Sequence, residues 1–137
     1  TKDKPFFIKK IFRKIKTSMV FSRQKEIQKV FPHTDTNKKL ISMIYYLPGK
    51  FWKSDSKGGT EFWKNKKNST KWKNCSMIYK STFEDFKNDH DIFHTSKFEE
   101  NKLVGFIKND MSWHSVTNTE NLHEHRKSIG IFLRMEL

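Results

Sequence analysis

Hydrophobic positions along the chain follow two rhythms. Ile8, Ile11, Phe12, Ile15 and Met19 recur at helical spacing. That pattern predicts an amphipathic helix over residues 6–19, apolar on its core side and basic outside. After residue 20 the apolar residues gather into short β-branched and aromatic runs, 26–31, 40–47, 59–63, 76–80, 102–108, 112–117 and 127–135, separated by turn-forming stretches. In KLISMIYYLP, strand parity sends Leu40, Ser42, Ile44 and Tyr46 to one face, and Ile41, Met43, Tyr45 and Leu47 to the other. In RKSIGIFLRM it groups Arg126, Ser128, Gly130 and Phe132 against Ile129, Ile131 and Leu133. Several short strands behind one helix point to a mainly β fold, a sandwich or barrel-like jelly roll. The expected layout is a single domain over 1–137, with 1–25 as helical support and 26–137 as the β core.

Length agrees with one domain, since 137 residues are too few for two. Thirteen Phe, four Trp and three Tyr supply the large apolar groups that a disordered charged tail lacks. One Cys excludes a disulfide framework and a Cys-rich zinc site. No run of 18 apolar residues exists, so no membrane-spanning helix is expected. Lys interrupts the apolar residues of PFFIKKIFRKIK, unlike a signal peptide, and the expected location is intracellular, in the cytoplasm. The first residue is Thr, which is consistent with a chain truncated at its N-terminus.

Charge adds a question. Residues 1–80 carry 21 Lys and Arg against 5 acids, a balance of +16, whereas residues 81–137 carry 7 against 10, a balance of −3. Such asymmetry invites an anionic partner. WKNKKNSTKWKN interleaves Lys with Trp63 and Trp72, a composition suited to single-stranded nucleic acid through phosphate attraction and base stacking. Against this, Lys outnumbers Arg 24 to 4, while phosphate and base recognition favour the Arg fork. A nucleic-acid partner is therefore possible but not favoured.

The chemistry concentrates in three places. His33-Thr34-Asp35 puts an imidazole and a carboxylate two residues apart, on one side of an extended chain and within reach of one metal ion. His114, in SWHSV, offers a third ligand from another strand. Two His and one carboxylate on a single face leave three coordination positions open, which suits non-haem Fe(II). Arg126 and Ser128 follow on the last strand, and a guanidinium beside a hydroxyl makes a good carboxylate receptor. Tyr46, by parity, offers one more donor. Elsewhere the readings are plainer. His90 and His94 have metal-pair spacing on a helix but no third soft ligand nearby, so a solvated face is expected. His123 and His125 read as a polar turn, and Cys75 as an ordinary buried or idle thiol.

Taken in order, HTD, ISMIYYLP, GGTEFW, WHSV and RKS resemble the 2-oxoglutarate and Fe(II)-dependent dioxygenases, the prolyl 4-hydroxylase-like branch above all. The resemblance covers about residues 26–135. It implies a double-stranded β-helix of cupin-like type, with Fe(II) held by His33, Asp35 and His114. It also implies 2-oxoglutarate chelating that iron, with its far carboxylate on Arg126, Ser128 and Tyr46. O2 would be the oxidant, and hydroxylation of a peptidyl prolyl residue or a small metabolite, with release of succinate and CO2, the reaction. Gly58-Gly59-Thr60-Glu61 matches a GGET-type strand start with Thr and Glu exchanged, so Glu61 inherits no role. The competing class is a basic nucleic-acid-binding module on the same barrel, either non-catalytic or oxidising a nucleobase.

Overall fold

The computed structural model describes residues 15–24, 29–52, 57–66, 68–73, 75–117 and 124–136. Among these residues, seven antiparallel strands form two sheets. They are β1 (Ile15–Gln24), β2 (Lys39–Tyr46), β3 (Thr60–Asn65), β4 (His90–Ser96), β5 (Leu103–Ile107), β6 (His114–Val116) and β7 (Arg126–Met135). One sheet runs β1-β7-β2-β5 and the other β4-β3-β6. The architecture is the mainly β, jelly-roll-like sandwich expected from the run of short strands. No helix among the described residues is long and apolar enough to cross a membrane.

Two elements differ from the sequence expectation. Residues 15–19, read as the end of a helix, belong instead to β1; residues 6–14 of that reading lie outside the described residues. The reason is tertiary. β1 pairs with β7 over ten consecutive positions, from Ile15 opposite Met135 to Gln24 opposite Arg126. That ladder overrides a weak local helical periodicity. The second difference is FEDFKNDHDIFH, whose front half forms α1 (Phe83–Asp89) and whose back half forms β4. His90 and His94 therefore sit on a strand. His90 is buried at 3% exposure, its ring stacked 3.9 Å from Phe86, while His94 is exposed. The run 76–80 makes only an isolated bridge, Met77 to His33, and residues 29–31 form no strand.

The buried core supports the second sheet from behind. Trp63, Trp72, Ile78, Phe86 and Trp113 form one cluster, with Phe83 packed against it. Phe86 is fully buried and meets Trp63, Trp72 and Trp113 edge-on. Trp113 precedes His114, so this cluster anchors the start of β6. Truncating Phe86 removes a ring that four neighbours enclose. Phe86→Ala is expected to cost about 3–5 kcal/mol, lowering the melting temperature by roughly 10 °C or more. Thermal denaturation followed by circular dichroism checks this.

Candidate active site

The two sheets enclose a cavity of about 170 Å³, lined from both sides. Ser42 and Ile44 of β2 and Arg126, Ser128, Gly130 and Phe132 of β7 face it, which is the parity read from the sequence. His33, Asp35, Thr60, Phe106 and His114 complete much of the wall.

His33, Asp35 and His114 converge there. Their nearest ligand atoms all lie within 4.8 Å of one another. Asp35 Oδ1 is 3.7 Å from His33 Nε2, and Oδ2 is 3.9 Å from His114 Nε2. The histidines are joined through their backbones, His33 N–H donating to His114 O and His114 N–H to His33 O, both at 3.0 Å. Asp35 arrives by a different route from the extended chain assumed above. Its φ is +67°, in the left-handed region that Asp tolerates better than most residues, and the bend brings its carboxylate back over the bridge.

Each imidazole is oriented from behind. His33 Nδ1–H donates to Phe31 O at 3.0 Å, and His114 Nδ1–H to Ser112 O at 2.9 Å. A carbonyl can only accept, so the proton resides on Nδ1 and the Nε2 lone pair faces the cavity. Burial pushes the His114 pKa down to about 4, with the neighbouring His33 acting in the same direction. The ring is therefore neutral, as a ligand must be. Burial alone would raise the Asp35 pKa, but hydrogen bonds from Lys39 and Ser42, with His114 and the Lys39 charge, hold it below the ordinary value. Two imidazoles and one carboxylate, with their ligand atoms aimed at a common point, fit a divalent ion of the Fe(II) type.

Arg126 lies in the same cavity at 3% exposure. Its Nε donates to Gly58 O at 2.5 Å, and Nη1 to Gln24 Oε1 at 3.0 Å and, more weakly, to Ser128 Oγ at 3.4 Å. Its guanidinium rests on the rings of Phe98 and Tyr46, 5.1 and 5.7 Å from their centroids. Burial lowers its pKa to about 10, which leaves it charged. Nη2 is buried and has no hydrogen-bond partner among the described residues. A buried cationic donor without an acceptor fits a ligand carboxylate.

Tyr46 does not line the cavity. Its hydroxyl donates to Thr60 Oγ1 at 2.6 Å, and its side chain is almost fully buried. Thr60, which does line the cavity, thereby has its own O–H left to donate inward. Thr60 and Lys39 are among the polar wall residues that reading by motif missed, with Ser22, Gln24 and Ser115. Thr60 was visible as the exchanged residue of GGTE. Lys39 was hidden because strict β2 parity sends it away from Ser42. An irregularity in the β2–β7 register between Lys39 and Ile41 brings both to the cavity.

The remaining candidates fall away from this site. Trp63 and Trp72 are each only 6% exposed, with their indole N–H groups on Ser115 and Asp89, so neither is a stacking platform for bases. Glu61 accepts a hydrogen bond from Ser115 and does not line the cavity. Cys75 is free and exposed, and His125 is half-buried. His123 lies outside the described residues.

A family model described as the 2OG-Fe(II) oxygenase superfamily matches residues 19–134, most of the chain. No curated protein matches it.

Proposed function

Since the chain belongs to the 2OG-Fe(II) oxygenase superfamily, we propose that it is a hydroxylase of the prolyl 4-hydroxylase-like branch, acting as a single domain on a peptidyl prolyl residue or a small metabolite. Membership brings Fe(II), 2-oxoglutarate and O2 as the cofactor and cosubstrates. The observation that carries the assignment to these residues is one cavity holding both receptors. A His-Asp-His donor set and a buried guanidinium with an unpartnered Nη2 share its wall.

His33, Asp35 and His114 would hold the metal, through Nε2, a carboxylate oxygen and Nε2. When bound, Fe(II) with 2-oxoglutarate supplies oxygen activation coupled to decarboxylation, giving succinate and CO2. The chain's own part is positioning and shielding. Phe31 O and Ser112 O fix the imidazole tautomers, and Ser42 holds one oxygen of Asp35 at 2.7 Å. Arg126 and Ser128 receive the far carboxylate of 2-oxoglutarate. Thr60 adds a hydroxyl, and Tyr46 contributes by orienting Thr60 and by supporting the guanidinium from below. Val30, Ile44, Phe106, Val116 and Phe132 supply apolar wall that limits water around the reacting groups.

The burial of both Trp side chains disfavours the nucleic-acid reading and leaves peptide or small-molecule substrates ahead. A panel of prolyl peptides, free amino acids, small metabolites and single-stranded oligonucleotides, supplied with Fe(II) and 2-oxoglutarate, tests this. We expect succinate formation together with a 16 Da gain on a prolyl peptide or a metabolite. Oxidation confined to the oligonucleotides would reverse the order, and no succinate with any compound, metal being bound, would overturn the catalytic reading.

A further inference from the structure

Lys39 has no part in the chemistry described so far, yet it is placed against the centre of the site. It opens β2, four residues after Asp35, and the register irregularity turns it into the cavity. Its Nζ donates to Asp35 Oδ1 at 2.9 Å, and its side chain is only 13% exposed. The ammonium also lies 3.9 Å from the centroid of the Phe132 ring. Phe132 is itself seated by Gly130, where a Cβ would come within 2.6 Å of the ring. The carboxylate that a metal needs is thus already paired to a cation, and that cation has an aromatic seat beside it.

We propose that Lys39 is a tethered counter-cation that competes with the metal for Asp35 and so sets the affinity of the site for divalent ions. This rests on His33, Asp35 and His114 being the ligands. In the metal-free protein a side-chain carboxylate only 9% exposed would otherwise lack a compensating charge, and Lys39 supplies one. A divalent ion reaching Asp35 meets either Oδ1, which Lys39 holds, or Oδ2, which accepts from Ser42, and in both cases the two cations repel across a few ångströms of poorly solvated space. The Phe132 face then gives the displaced ammonium a place to rest, since a cation over an aromatic ring is stabilised there. Loading therefore exchanges one partner of Asp35 for another, without leaving the carboxylate bare at either end.

The test is calorimetric titration of Mn²⁺, a redox-stable stand-in for Fe(II), into wild type, Lys39→Met and Lys39→Arg, with no turnover involved. Methionine keeps the length and the contact with Phe132 but removes the charge. Lys39→Met is expected to bind Mn²⁺ at least tenfold tighter than wild type, and Mn²⁺ is expected to raise its melting temperature by more. Lys39→Arg, which retains the cation, is expected to stay within a few-fold of wild type. A purely structural role predicts the reverse for methionine, because a damaged site binds metal less well. Lys39→Met binding Mn²⁺ as weakly as wild type, or more weakly, overturns the proposal while leaving the ligand set standing. Absence of Mn²⁺ binding in wild type and every variant overturns the ligand set instead. Should circular dichroism show Lys39→Met unfolded, Lys39→Gln, neutral but still a donor to Asp35, serves in the same comparison with the same two outcomes.

Discussion

Alanine at His33, Asp35 or His114 is expected to abolish stoichiometric Mn²⁺ binding and succinate formation, with the folded structure retained. Each change removes one of three donors whose ligand atoms converge within 4.8 Å. Substituting even an outer-shell partner of a metal ligand typically costs about 10–100-fold in affinity, so loss of a ligand itself should exceed that. Asp35→Ala should be the most severe, because it also strands the Lys39 ammonium and the Ser42 hydroxyl that now hydrogen-bond to the carboxylate. His94→Ala is the proper control, since His94 is exposed and packs only beside Phe62. His90→Ala is not equivalent. His90 is buried against Phe86, so its loss lowers stability while leaving Mn²⁺ affinity unchanged in the folded fraction. Retained one-to-one Mn²⁺ binding by a folded His114→Ala variant would remove that residue from the set.

Arg126→Ala separates the cosubstrate from the metal. Truncating one member of a buried, hydrogen-bonded charge pair costs about 2–5 kcal/mol, which is a factor of roughly 30 to several thousand in affinity. The expected result is a rise of that order in the 2-oxoglutarate concentration needed for half-maximal turnover. Mn²⁺ affinity without 2-oxoglutarate should stay the same, because Arg126 contacts Gly58, Gln24 and Ser128 and none of the three ligands. Arg126→Lys should recover only part of the loss, since a point charge cannot reproduce the planar fork resting on Phe98 and Tyr46. An unchanged 2-oxoglutarate requirement in folded Arg126→Ala would place the carboxylate elsewhere.

Period-two patterning made much of this legible from the chain alone. The inward sets of β2 and β7 followed from alternation, because one face of each strand meets a cavity and the other does not. The donor set was legible as ordered motifs, although the bend that delivers Asp35 was not, since a left-handed φ at Asp leaves no periodic trace. β1 was mistaken for a helix because Ile15 and Met19 fit a 3.6-residue period. What decides that segment is β7, more than a hundred residues away, whose ten-position ladder no local pattern displays. Trp63 and Trp72 illustrate the opposite case. Set among lysines they resemble a binding platform, but the large apolar rings turn inward to Phe86 and leave the ammonium groups outside. Lys39 stayed hidden because a register irregularity exchanges the faces of a strand, and such irregularities are set by the pairing partner.

The bridge between His33 and His114 also bears on how the molecule holds together. The two residues are 81 positions apart, yet they exchange both backbone hydrogen bonds. Closing a flexible loop of that length costs on the order of 4 kcal/mol of chain entropy. An ion shared by both imidazoles would grip the two sides of that closure, in the way a cross-link restrains the unfolded ensemble. A chain with a single cysteine has no disulfide of its own for this purpose. An ion bound there would thus double as a removable staple between distant parts of the sequence. Loss of iron would then loosen the sandwich as well as silence it, coupling the lifetime of the protein to the metal supply around it.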